Sequence, residues 1–248
     1  MARMIPAIVE EAKQAALEVL LNNARQGRGG LPRTAAWAYP EPYTRDLLIG
    51  ALGTLVSGNE ELIASLARVL QTLADNQSPL GHIPSLVDVP TDRGASDTTP
   101  LFLIALMLYR NACKNSEFLA EAGERAHVWM CYQSPEDNVL VAQEPTSDWR
   151  DEQWVEGAGL FVNALVHSYL KLRGEAERVA TLESQMLRLA VRRVEQSYVH
   201  DRLSSGDAPY YALWAYKAAN SERFDLLGNS WAIPVSYTHL TLPTNREV

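Results

Sequence analysis

The sequence predicts an all-α fold built from helical hairpins, because helix-period patterns dominate and strand signals are weak throughout. Two kinds of helical segment alternate along the chain, one apolar on nearly every face and the other amphipathic. A helix that is apolar all round must be buried on all sides, whereas its amphipathic successor faces water. Repetition of such a pair about every 50–60 residues therefore predicts two concentric layers of helices.

The apolar, inner helices are predicted at residues 45–56, 98–112, 155–172 and 208–219. The amphipathic, outer helices are predicted at residues 5–26, 59–76, 117–132 and 175–198. Asn59 is the expected N-cap of the second outer helix. Long segments rich in Trp, Tyr, Asp and Pro precede the inner helices, at residues 28–44, 77–97, 133–154 and 200–207. We expect these segments at one end of the bundle, where loops of such length usually carry function.

Composition limits the function classes. The chain has 248 residues, 47% of them hydrophobic, and a formal net charge of −8, which argues against nucleic acid as a partner. No apolar run reaches the ~18–20 residues of a membrane span, and no secretory signal precedes the first helix. Cys113 and Cys131 lack metal-ligand spacing and are expected to be core thiols of a cytoplasmic protein. We expect no metal and no other cofactor.

Residues 144–154 form the most informative segment, because residues 148–154 within it place three carboxylates and two tryptophans before an apolar helix. They are Asp148, Asp151, Glu152, Trp149 and Trp154. A sugar site needs such a combination: aromatic faces that stack on a pyranose, and an acid that keeps its proton near an apolar wall. The alternative is a helix N-terminus, with Ser147 or Asp148 as its cap and acids in the first turn.

Three further junctions combine aromatic and acidic residues with a following helix. The first contains Trp37 and Tyr39 and ends in Arg45-Asp46, where the arginine can fix the rotamer of a carboxylate that binds sugar hydroxyls. That Arg-Asp pair can also be a helix cap with a local salt bridge. The second junction contains His82 and ends at Asp97, which can instead simply cap its helix. The third of them covers residues 224–233, so that in chain order residues 144–154 form the third of the four junctions and residues 224–233 the fourth.

Taken in order, the four junctions resemble the six-hairpin, or (α/α)6-barrel, glycosidases. TRDLLIGALGTLVSGN and GASDTTPLFLIAL resemble helix-start motifs of glucoamylases, invertases and debranching enzymes. PTSDWRDE is similar to the Thr-Ser-Asp-Trp-x-Asp-Glu motif of neutral/alkaline invertases and to the Trp-Met-Asp motif of glycogen-debranching, amylo-α-1,6-glucosidase-like enzymes. FDLLGNSWAI resembles an invertase segment. The resemblance covers most of residues 33–233.

The resemblance implies an inverting glycoside hydrolase that uses no metal and acts on an α-glucoside or a sucrose-like small saccharide. The two carboxyls of such an enzyme stand ~6.5–9.5 Å apart, with one as general acid and the other as base. Asp148 and Asp151 compete for the acid role, and the Trp-x-Asp match favours Asp151. Trp149 and Trp154 would raise the pKa of this acid by desolvation.

The family match also suggests substrate-binding residues. Arg45 and Asp46 would hold the far hydroxyls of the terminal sugar. Trp37 and Tyr39 are expected stacking platforms, and His82 and Asp97 are expected hydroxyl partners. Trp149 and Gln153 complete the predicted set of saccharide contacts.

Residues 235–248, VSYTHLTLPTNREV, resemble the translation of a sequencing adapter and leave residues 1–234 as the glycosidase-like domain. We therefore expect an incomplete (α/α)6 toroid, roughly two-thirds present, that lacks its catalytic base and is inactive alone. The exposed inner faces of residues 155–172 and 208–219 are expected to promote association, although the oligomeric state stays open.

Two other functions compete with hydrolysis. A sugar epimerase-type (α/α)-barrel enzyme would use a pair of histidines, and the loops offer only His82 and His200. A non-catalytic α-helical repeat scaffold would scatter its acids and tryptophans over the surface instead of bringing them together.

Overall fold

Eight α-helices dominate the part of the chain that the computed structural model describes, which is residues 7–36, 38–92, 94–134, 139–191, 206–217 and 219–236. They are α1 Ala7–Arg25, α2 Thr44–Ser57, α3 Glu60–Asp75, α4 Thr98–Cys113, α5 Ala120–Cys131, α6 Leu160–Arg173, α7 Ala176–Met186 and α8 Leu226–Ser236. A short 3₁₀ helix, Leu187–Leu189, follows α7. The prediction of an all-α fold is confirmed. None of the described helices is long and apolar enough to cross a membrane.

The helices form two layers. In one layer α2, α4, α6 and α8 pack side by side in that order. In the other layer, α3 packs on α2, α5 on α4 and α7 on α6. α1 packs on α3. The inner helices α4 and α6 contribute most of the core, with Phe102, Phe161 and Tyr169 fully buried. This alternation agrees with the hydrophobic pattern of the sequence, in which apolar helices precede amphipathic ones.

Helix α2 is less buried than predicted, since the sequence predicted that every face of this helix is covered. Leu52 and Val56 are exposed, and only one face of the helix is covered. The helix ends as expected: Gly58 adopts a left-handed conformation with φ 65°, which glycine accepts without steric cost. The amide N–H of Leu62 then donates to the side chain of Asn59 at 3.1 Å, confirming the predicted N-cap of α3.

The prediction of a helix at residues 208–219 is wrong. This region contributes β2 (Trp214–Tyr216) and part of β3 (Ala219–Ser221), which join β1 (Ala158–Gly159) in an antiparallel sheet of order β1-β2-β3. A short apolar run cannot be assigned by periodicity alone, and its aromatic residues favour a strand. Pairing of β1 with β2 also delays the start of α6 to residue 160.

Further predictions are corrected by the exposure of individual side chains and by the position at which α7 ends. Cys113 and Cys131 are exposed and are therefore not core thiols. The residues of α6 are mostly buried, so the predicted exposure of its inner apolar face is not observed. α7 ends at Met186, well before the predicted end of that helix, and residues 192–198 lie outside the described part of the chain.

Backbone hydrogen bonds connect the segments that precede the inner helices. The amide of Thr44, at the start of α2, donates to the carbonyl of Ser85 at 2.8 Å. The amide of Ser96, just before α4, donates to the carbonyl of Ser147 at 2.7 Å. The amide of Leu160, at the start of α6, donates to the carbonyl of Leu213 at 3.0 Å. These bonds bring the first three junctions together at one end of the helix bundle; residues 200–205 of the fourth predicted loop lie outside the described residues.

The boundary predicted at residue 235 falls inside a helix, because α8 continues to Ser236. Residues 237–248, which make up most of the adapter-like segment, lie outside the residues that the structure describes.

Candidate active site

A buried ion pair joins the start of α2 to the start of α4. The Nε–H group of Arg45 donates to Oδ2 of Asp97 at 2.5 Å, and Nη2 donates to Oδ1 at 3.3 Å. Asp97 is fully buried, whereas Arg45 keeps a fifth of its side chain exposed. Asp97 occupies the N-cap position of α4 but accepts no capping hydrogen bond through its side chain. Its carboxylate thus holds Arg45 and contacts a sugar only if Arg45 moves.

Arg45 also reaches the third junction. Its Nη1 lies 3.5 Å from Oδ1 of Asp151, whose side chain is 69% exposed. Arg45 therefore bridges a buried carboxylate and an exposed one that lie 54 residues apart in sequence. Asp46, expected to act with Arg45, instead lines a small cavity of about 90 Å³ together with residues of α1 and α3.

The pKa of Asp97 is raised from 3.8 to about 6. Burial of the carboxyl is the largest cause, and it outweighs the opposing effect of the Arg45 guanidinium. The nearby charge of Asp148 raises the pKa further. Because the folded pKa exceeds the ordinary one, the stabilisation from protonated Asp97 is complete below about pH 4 and is lost as the pH rises through about 6.

Replacement of Arg45 by methionine is expected to move the pKa of Asp97 above 6, because the guanidinium is the main group that favours the charged carboxylate. Titration of the Asp97 carboxyl carbon by NMR measures this shift directly. Arg25→Met is the matched control, since Arg25 pairs with the exposed Glu61 away from the site. An unchanged or lower pKa of Asp97 in Arg45→Met would contradict the assigned cause.

A second buried network surrounds Arg150. Its Nη2 donates to Oδ2 of Asp148 at 2.7 Å, and its Nη1 donates to Oδ2 of Asp225 at 2.5 Å. Oδ1 of Asp148 accepts the backbone N–H of Arg150 at 2.9 Å. All three side chains are almost completely buried. Asp148 is therefore occupied by structural contacts, which leaves Asp151 as the exposed carboxylate of the predicted acid pair.

Sequence reasoning missed the part that Asp225 plays. Besides its ion pair, Asp225 accepts the N–H of Gly228 at 3.1 Å and so caps α8. Its position directly before an apolar helical segment is a recognisable capping signal. The long-range partner Arg150 is 75 residues away and carries no signal in the local sequence.

The aromatic residues are arranged differently from the expectation. The Trp149 ring lies against the guanidinium of Arg150, 5.0 Å from the ring centroid, and Trp154 is 61% exposed. Since Asp151 is itself mainly exposed, the two tryptophans do not desolvate it as predicted. Tyr39 is exposed and packs edge-on against Tyr43 at 6.0 Å.

Two further predicted residues have definite positions. Gln153 is exposed, and its backbone N–H donates to the carbonyl of Arg150 at 2.8 Å. His82 contacts the Thr99 hydroxyl through Nδ1 at 2.9 Å and stacks on Trp129 at 5.0 Å. Trp37 lies outside the described residues. Within the described ranges, no group of three or more His, Cys, Asp or Glu side chains is placed to hold a metal ion.

Comparisons with known proteins find similarity at the level of the fold. No family model matches the sequence, and no curated protein matches it. A solved structure named "Glycosidase F290Y" superposes with a TM-score of 0.57 at 14% identity, covering 87% of this chain. The chain spans 63% of the length of that structure. A sequence identity of 14% supports a statement about the fold alone: the fold of this chain is similar to that of a glycosidase.

Proposed function

We propose that the protein is a glycoside hydrolase that acts on a small saccharide, either an α-glucoside or a sucrose-like substrate. The main support for the proposal is the bridge that Arg45 forms between two carboxylates, called the Arg45 bridge below. It joins Asp97 and Asp151 at the end of the bundle where the first three junctions meet. The glycosidase-like fold supports the same conclusion. A scaffold protein has no need of this convergence, so the bridge favours an enzyme.

Asp151 is the proposed general acid. Its side chain is exposed and can reach a glycosidic oxygen, whereas Asp148 is buried and bonded to Arg150. In the protonated form, Asp151 would donate its proton to the leaving oxygen as the bond to the anomeric carbon breaks.

Arg45 is proposed to orient Asp151 and to bind substrate hydroxyls. Asp97 is the second carboxylate that contacts Arg45. Asp97 is nevertheless a poor candidate for the catalytic base, since it is fully buried and its oxygens are bonded to Arg45. Its role in the proposal is to fix Arg45.

A glycoside panel tests the proposal. The product of the gene is incubated with sucrose, methyl α-glucoside and maltose, and the first-formed sugar anomer is observed by proton NMR. We expect hydrolysis of at least one substrate with inversion at the anomeric carbon. Heat-denatured protein is the control. A folded protein that releases no sugar from any member of the panel would overturn the proposal.

A further inference from the structure

A cavity of about 350 Å³ lies beside the candidate active site. Its walls come from the segment before α4, from the C-terminal end of α5 and from residues 141–147. The main side chains that line it are His82, Ser96, Trp129, Gln133, Glu144 and Ser147. Its volume falls in the ~300–1,000 Å³ range of small-molecule sites. Ser96 and Ser147 directly precede Asp97 and Asp148, so the cavity adjoins both buried ion pairs.

One wall of the cavity is aromatic. Trp129 on α5 is partly buried against the core, and the His82 ring lies 5.0 Å from it at an angle of 38°. The same indole borders an adjoining apolar hollow of about 440 Å³, where Leu80 and Tyr132 are exposed. A rigid indole that borders both a polar cavity and an apolar hollow suits a ligand with one apolar face and polar edges.

The other walls provide hydrogen-bonding groups of both kinds. The hydroxyls of Ser96 and Ser147 are paired at 3.0 Å, and the Gln133 amide is fixed by the Trp129 carbonyl at 3.2 Å. Glu144 adds an exposed carboxylate at the rim. Hydroxyl and amide groups both donate and accept hydrogen bonds, as a neutral polyol requires. The Glu144 carboxylate and the net charge of −8 disfavour an anionic ligand.

We propose that this cavity binds one neutral hexose unit of a saccharide, with the sugar ring against Trp129 and its hydroxyls on Ser96, Ser147 and Gln133. This inference rests on the proposed function for the choice of a sugar. It adds a binding residue, Trp129, that the sequence patterns did not indicate, and it predicts a substrate that contains more than one sugar unit.

Binding is tested with the chain itself and with three probes: methyl α-glucoside, sucrose, and choline as a cation. The chain has six tryptophans, whose indole N–H signals are followed by NMR, and the signal that disappears in Trp129→Leu is that of Trp129. We expect the Trp129 signal to shift with both saccharides and not with choline. Binding in Trp129→Leu should be about tenfold weaker or worse. Trp154→Leu, which changes an exposed indole outside the cavity, should bind normally.

A second variant keeps the test decisive if Trp129→Leu fails to fold. Ala142 lines the cavity, and Ala142→Leu places a larger side chain in it without removing a polar group; saccharide binding should become about tenfold weaker or worse. Asp151→Asn should still bind saccharide at the Trp129 signal. Binding that is lost in Asp151→Asn but kept in Ala142→Leu would overturn this inference and leave the proposed hydrolase intact. A Trp129 signal that responds only to choline, or to none of the probes, would also overturn it.

Discussion

Replacing Arg150 by methionine is expected to lower the free energy of unfolding by about 3–5 kcal/mol. The guanidinium is the common partner of two buried carboxylates, Asp148 at 2.7 Å and Asp225 at 2.5 Å. Removal of one partner of a buried ion pair leaves uncompensated charge in a medium that solvates it poorly. Urea denaturation monitored by circular dichroism measures the loss.

The matched control is Arg25→Met. Arg25 makes an ion pair of similar geometry with Glu61, but both side chains are largely exposed, so little change is expected. A variant that combines Arg150→Met with Asp148→Asn and Asp225→Asn should recover part of the stability, because the unpaired charges are then gone. Equal effects of Arg150→Met and Arg25→Met would show that the buried network does not hold the third and fourth junctions together.

Changing Asp151 to asparagine is expected to reduce the rate of glycoside hydrolysis by ~10²–10⁴-fold. The amide keeps the size of the side chain but has no acidic proton to give to the leaving oxygen. Because the Asp151 side chain is 69% exposed, the fold should tolerate the change, and the unfolding transition should stay where it is. Measurement of kcat and KM on the best substrate of the panel provides the test.

Glu152→Gln is the control for this prediction. Glu152 is the exposed neighbour of Asp151, so its loss removes the same charge from the same loop without touching the Arg45 bridge. We expect near-normal rates for Glu152→Gln. Comparable loss in both variants would assign the effect to the charge of the loop and not to proton transfer by Asp151.

The helical layers could be predicted from the sequence because they depend on local periodicity. Burial along α4 and α6 and the Asn59 cap of α3 follow patterns that span a few turns. The strands near residue 214 could not be predicted in the same way. Their assignment depends on pairing with Ala158–Gly159, more than 50 residues earlier, and a short apolar run carries no period that separates strand from helix.

In the candidate site, too, local features could be predicted from the sequence, whereas contacts between distant residues could not. The junctions were identified by their composition, but the partners of each charge were not. The sequence suggested that Arg45 acts with its neighbour Asp46, whereas the structure pairs it with Asp97 and Asp151. Adjacent residues on a helix point in different directions, so sequence neighbours are seldom the groups that meet at a site.

The leaving group provides the most direct test of Asp151 as the general acid. A glycoside with an alkyl leaving group needs protonation as its bond breaks, whereas a glycosyl fluoride leaves without a proton from the enzyme. In Asp151→Asn we expect hydrolysis of the alkyl glycoside to fall by ~10²–10⁴-fold relative to the unmodified protein, with the fluoride rate nearly unchanged. Equal losses on both substrates, or no loss on either, would contradict the assignment of Asp151 as the general acid.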